Sequence, residues 1–115
     1  MNIAGKLVER RNEALKEIAA LGPMRRGSLT PQFVETVDKK GRRARRGPYT
    51  VYTFKDRGKT VSCRIRRRQD EALYRQQIKA FRQYQRLSAE LIDISQRLAD
   101  LAVSDQGDEK KTSRR

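Results

Sequence analysis

The stretch P-Y-T-V-Y-T-F-K-D-R-G-K-T-V-S-C-R-I-R, residues 48–66, decides the fold of this chain. Its two halves are rich in β-branched and aromatic residues. They flank D-R-G-K, where Gly58 supplies the positive φ of a tight turn. Folding about Arg57 and Gly58 pairs Phe54 with Val61, Tyr52 with Cys63 and Thr50 with Ile65. The other face pairs Thr53 with Ser62, Val51 with Arg64 and Tyr49 with Arg66. One face is then largely apolar, and the other carries hydroxyls, an aromatic ring and arginines. A slip of one residue would scramble that separation, so the pattern favours this register. Tyr52 and Phe54 read as core because their cross-strand partners are apolar, and Cys63 reads as a small buried hydrophobe.

Working outward, Phe33–Val37 (F-V-E-T-V) reads as a first strand. Before it, R-R-G-S-L at 25–29 reads as a turn, and Thr30-Pro31 disfavours helix. Between the strand and the hairpin, K-K-G-R-R-A-R-R-G at 39–47 holds six cations in nine residues with no large apolar anchor. It is expected to be a loop, mobile until its charge is neutralised.

A helix is expected on each side. Residues 2–21 form the first, capped by Asn2 and ended by Gly22-Pro23, with Ala4, Leu7, Ala14, Ile18 and Leu21 on one stripe interrupted by Arg11. The second runs from Asp70 to about Val103. Leu73, Ala80, Leu87, Ile94 and Leu101 recur every seven residues, and Gln77, Tyr84, Leu91 and Leu98 fill the complementary heptad position. The polar, aperiodic tail 104–115 is expected to be disordered. The fold class is α+β in one domain, 1–103. It is a two-helix antiparallel coiled-coil hairpin with a small two- or three-stranded antiparallel sheet, 24–68, inserted between the helices. Pairing the helices outward from the sheet matches Leu21 with the region of Leu73 and Ile3 with the region of Glu90. Leu91, Ile94, Leu98 and Leu101 are then left for a second copy or a partner helix.

Charge is distributed unevenly along this plan. From Met24 to Arg68 there are fifteen Lys and Arg against three acids, which is +12 of the formal +14. Self-repulsion at that density implies an anionic partner, and a one-sided basic footprint is the usual signature of phosphate-backbone binding. With 36% hydrophobic residues and no Trp, a large core is excluded, and the apolar residues suffice for helix seams and one sheet face. Histidine is absent and Cys63 is the only cysteine, so one chain can build neither a disulfide framework nor a Cys/His zinc site. Near neutral pH that palette is poor for general-base work, and no enzyme motif is present. No cofactor, metal or catalytic residue is therefore expected. No apolar run approaches a membrane span and no signal-peptide core follows Met1, so a cytoplasmic protein is expected.

A two- or three-stranded antiparallel ribbon fits the DNA major groove. Arg64 and Arg66 suit guanine or phosphate, and Tyr49, Thr53 and Ser62 offer hydrogen bonds to base edges. Lys39, Lys40, Arg42, Arg43, Arg45 and Arg46 read as backbone clamps together with Arg66, Arg67 and Arg68. Arg57 and Lys59 flank the hairpin turn, and Arg25 and Arg26 sit where helix passes to strand. Arg75, Lys79, Arg82 and Arg86 make the near half of the long helix cationic, while Glu90, Asp93 and Asp100 make its far half acidic; the near half would extend the phosphate-facing surface. These residues lead to the expectation of a non-catalytic nucleic-acid-binding protein, duplex DNA favoured, acting as an accessory or architectural subunit. An RNA-binding ribonucleoprotein subunit and a coiled-coil scaffold with an incidental basic region are the alternatives.

The ordered blocks R-R-G-S-L (25–29), R-R-G-P-Y (45–49) and G-K-T-V-S (58–62) resemble a family of small basic bacterial proteins catalogued as a domain of unknown function. That resemblance covers most of residues 1–103 and implies a short N-terminal helix and a long C-terminal one around the three blocks. Many members carry a cysteine cluster just before the G-P-Y block. This chain has V-D-K-K-G-R-R-A-R-R there, so no metal role carries over. The hairpin is also similar in strand pattern and basicity to the three-stranded DNA-reading sheets of phage-type integrases, an analogy of fold alone.

Overall fold

The computed structural model describes residues 2–110, with side chains through Ser104. The element order is α1 (Ile3–Ala20), β1 (Ser28–Val37), β2 (Arg43–Asp56), β3 (Lys59–Ile65) and α2 (Arg68–Lys110). The class is α+β, and chain order places the sheet between the two helices. Contacts divide the chain into a helical unit, residues up to Leu21 with those from Gln83 onward, and a sheet unit, Gly22–Arg82.

In the helical unit, Asn2 caps α1 by accepting a hydrogen bond from the Gly5 amide at 2.6 Å. The helix ends differently from expectation. Leu21 turns extended (φ −66°, ψ 137°) and its amide still reaches Ile18 O, so no left-handed glycine is used at Gly22. Leu7 and Ala14 are buried on α1, and Leu87 and Ile94 on α2. Arg10 fixes the register with a two-pronged bond to Glu90, Nε to Oε2 at 2.5 Å and Nη2 to Oε1 at 2.7 Å. At the other end, Ile3 lines one cleft with Arg97, Asp100 and Leu101. The two segments are therefore antiparallel.

That register corrects the expected overhang. Ile94 is only 5% exposed and Leu91 and Leu98 are half-buried, while Leu101 stays on the surface. The pairing starts farther along α2 because its first turns are occupied in the sheet unit. The heptad reading fails there for the same reason. Leu73 is 50% exposed, whereas Ile78, outside both heptad positions, is buried. Tyr74, Gln77, Ile78 and Phe81 form the inward stripe, at the 3.6-residue spacing of a straight helix. At its far end α2 continues to Lys110, past the end expected at Val103. Polar residues without proline can prolong a helix, and the single Gly107 costs only about 1 kcal/mol relative to Ala. Residues 111–115 of the expected disordered tail lie outside the described residues.

The sheet unit is a three-stranded antiparallel sheet in the order β1-β2-β3. The β2–β3 register agrees with the sequence at every expected pair from Thr50–Ile65 to Phe54–Val61. The turn takes positive φ at both Arg57 and Gly58. Tyr49 and Arg66 fall outside the ladder because β3 ends at Ile65. Strand β1 begins five residues earlier than expected. Pro31 is tolerated because β1 is an edge strand, where a missing N–H need not break a ladder. Gly27 enters it at φ +114°, and a Cβ there would meet Thr53 O at 2.4 Å, so glycine is required.

Tyr52, 4% exposed, anchors the covered face. Its ring stacks on Phe54 and meets Tyr74 of α2 edge-on, both at 5.1 Å, and its hydroxyl donates to Arg26 O. Cys63, across the strand from Tyr52, is exposed, which corrects the expectation of burial: β3 is the outer strand and its far flank has no neighbouring strand.

Candidate nucleic-acid interface

The largest correction concerns residues 39–47. Only the tip is a turn. The Asp38 carboxylate accepts from the amides of Lys40 (2.9 Å) and Arg42 (2.8 Å), the Gly41 amide donates to Asp38 O, and Gly41 sits at φ +77°. From Arg43 onward the chain is strand, with Arg43, Ala44, Arg45 and Arg46 opposite Val37, Thr36, Glu35 and Val34. A cation-rich segment has little intrinsic reason to be a strand, but F-V-E-T-V offers it a ladder of backbone hydrogen bonds. Because β3 pairs with β2 only from Thr50 on, residues 32–48 form a two-stranded ribbon, exposed throughout except at half-buried Thr36. Six residues per strand make it roughly 20 Å long. A register shift lies where Phe33 meets Gly47 and Pro48. Gly47 takes φ +120°, and a side chain there would strike Gln32 O at 2.7 Å.

The ribbon carries Arg43, Arg45 and Arg46 on its second strand and Lys39, Lys40 and Arg42 around its tip. The Arg45 guanidinium lies 3.9 Å over the exposed Phe33 ring, a pairing that spacing alone did not reveal. Among the described residues, the only candidate cations in ion pairs are Arg42, with Asp38 at 3.7 Å, and Arg67, with Asp70 at 3.3 Å.

On the three-stranded part, α2 packs against the Tyr52 face, and the opposite face presents Tyr49, Thr53, Ser62 and Arg64. Arg64, paired across the strands with Val51, stacks 3.4 Å over the Tyr49 ring, and Val51 on this face is 8% exposed. The hydroxyls of Thr53 and Ser62 meet at 3.4 Å. Beside them a cleft of about 410 Å³ is lined by Tyr49, Arg64, Arg66, Arg67, Arg68 and Glu71, among others. Glu71 is held below the usual carboxylate range, first by its 2.8 Å bond to Arg75, then by Thr50, with Arg68 adding attraction. Arg57 in the β2–β3 turn and Lys59 just after it are exposed.

Arg25 does not join this surface. Its Nε donates to Gln77 Oε1 at 2.9 Å, its guanidinium lies 4.3 Å over Tyr74 and 5.1 Å over Tyr52, and its amide donates to Gln77 O. It cements β1's approach to α2. Adjacent Arg26 is exposed, and its carbonyl accepts from the Tyr52 hydroxyl. The sequence signal for Arg25 was Gln77, a polar residue at an apolar heptad position.

Among the described residues no group of three His, Cys, Asp or Glu could hold a metal ion, and no helix is long and apolar enough to cross a membrane. Comparison with family models, curated proteins and solved structures finds no match.

Proposed function

We propose that this chain is a non-catalytic nucleic-acid-binding protein that engages duplex DNA through the basic ribbon and the open face of its sheet, as an accessory or architectural subunit. One observation carries the reading. The sheet unit holds eighteen Lys and Arg against five acids, and nearly all the candidate cations on its ribbon and open face lack an acidic partner. Such a surface repels itself until phosphates neutralise it, and release of the condensed counterions then drives binding. DNA is favoured over RNA because the open face of an antiparallel sheet fits the wide major groove of B-form, whereas the A-form major groove is too deep and narrow to be read. In this reading the ribbon clamps backbone, and Arg64 with Tyr49, Thr53 and Ser62 faces base edges.

The test is a salt titration of duplex binding. With about six phosphates neutralised, log K falls with log salt at a slope of roughly −5. A slope shallower than about −2 would refute extended contact. Structured RNA competing more strongly than duplex DNA would move the target to RNA.

A further inference from the structure

The sequence suggested that Arg75, Lys79 and Arg82 extend the same phosphate-facing surface. The geometry separates Lys79 and Arg82 from it, while Arg75 reaches back to Glu71 at the edge of the open-face cleft. These three residues line a cleft of about 300 Å³ whose floor is Leu29 and Ile78. Leu29 pairs with Tyr52 and so lies on the covered face of the sheet, opposite Arg64 and Tyr49. Spaced by four and then three residues, the cations make one stripe on α2, about 10 Å long.

A duplex lying on the open face leaves this stripe on the other side of the sheet. Packed layers put on the order of 10 Å of protein between the open-face cations and Lys79 with Arg82. The Debye length is about 8 Å at physiological ionic strength, so a phosphate neutralising one set does little for the other. Lys79 and Arg82 have no acidic partner among the described residues, while Arg75 is shared with Glu71. We infer that the α2 stripe is a second nucleic-acid contact, and that one copy of the chain bridges two duplex segments, one on each face of its sheet unit. This rests on the proposed function and adds to it a valence of two. The aliphatic floor suits the C–H edges of deoxyribose, and the rim supplies the phosphate partners.

The experiment uses the full chain, with its monomeric state checked by analytical ultracentrifugation under reducing conditions. A duplex of about 30 base pairs is held on beads, and capture of a second, labelled duplex is measured as protein is added below saturation. The expected result is capture by the monomer. Lys79→Glu with Arg82→Glu should lower that capture by about tenfold or more, while single-duplex affinity stays within about twofold. Lys79→Gln with Arg82→Gln should give an intermediate loss, and circular dichroism should match the parent for both variants. Tight single-duplex binding without second capture overturns the bridge and leaves the proposed function standing. So does capture confined to a dimeric fraction, or capture equal in parent and variants. Should the stripe instead bind polyglutamate, with the charge-reversed variant losing it and no second duplex held, the occupant is an acidic protein segment and the bridge is refuted. A chain that binds no duplex at all removes the proposed function and the bridge together.

Discussion

The helical unit and the sheet unit handle charge in opposite ways. The helical unit has ten Lys and Arg against nine acids, and it spends them on itself. Arg10 alone engages Glu90, Glu13 and Glu17. Its guanidinium becomes still harder to deprotonate, chiefly through the Glu90 bond, and Glu90 is held below the usual carboxylate range by the same contact. The sheet unit carries a net +13 and leaves most of its candidate cations unpaired. The lesson is that the mere number of charges is a poor guide. In one region opposite charges set the register of two helices, and in the other like charges stand along strands mostly without acidic partners.

The sharpest break of this contrast comes from removing charge in each unit. Replacing Arg42, Arg43, Arg45 and Arg46 with Ala should weaken duplex binding on the order of 10²–10³-fold near 0.1 M salt, alike for all sequences. Removing the exposed Lys6, Lys16 and Arg97 together should change it by less than about threefold. Equal losses, read by fluorescence anisotropy, would show that net charge alone matters. Next in size is the helix register. Ile94→Ala should lower stability by roughly 2–4 kcal/mol in urea denaturation, whereas Leu73→Ala should cost under about 1 kcal/mol. The reverse ranking would restore the pairing that starts at the sheet end. Gly27→Ala should cost about 2–3 kcal/mol through loss of the β1 entry turn, with most helical ellipticity at 222 nm retained. A silent substitution would mean that the turn can relax without φ +114°.

The smallest effect concerns pH. Because the folded state lowers the Glu90 pKa, the Arg10–Glu90 contact contributes its full stability above the unfolded value near 4.3, and that contribution is lost as pH falls through the lower folded value. Helical stability should therefore decline below about pH 4.5, and Glu90→Gln should be less stable than the parent at neutral pH with a flatter acid limb. Parallel acid limbs in parent and variant would assign the decline to other carboxylates.

Much of the sheet was legible because a period of two and a D-R-G-K turn leave one sensible register for residues 50–65. The covered and open faces followed from it, and Tyr49, Thr53, Ser62 and Arg64 stand together as read. The ribbon was illegible because arginine has no strand signature of its own, and its pairing with 34–37 depends on a partner strand. The helix pairing was illegible for a different reason. Each helix showed an apolar stripe, but a stripe does not say where along α2 its partner begins. That choice was made by Tyr74 and Ile78, inward residues that stand outside both heptad positions. Arg25 was misplaced among the binding cations because composition cannot distinguish an arginine facing water from one layered on two tyrosines.

The open ends of the strand order have a consequence for handling the protein. β1 and β3 each leave a row of backbone donors and acceptors unpaired, a template on which other strands can add and aggregation can start. Pro31 interrupts the row on β1, and Arg64 lies near the end of β3 with Arg66 just beyond it, where a second copy would bring like charges together. The cations of the sheet unit thus oppose edge-to-edge addition of a second copy. Substitutions that neutralise them remove that repulsion, so the stripped variants should lose solubility as well as affinity.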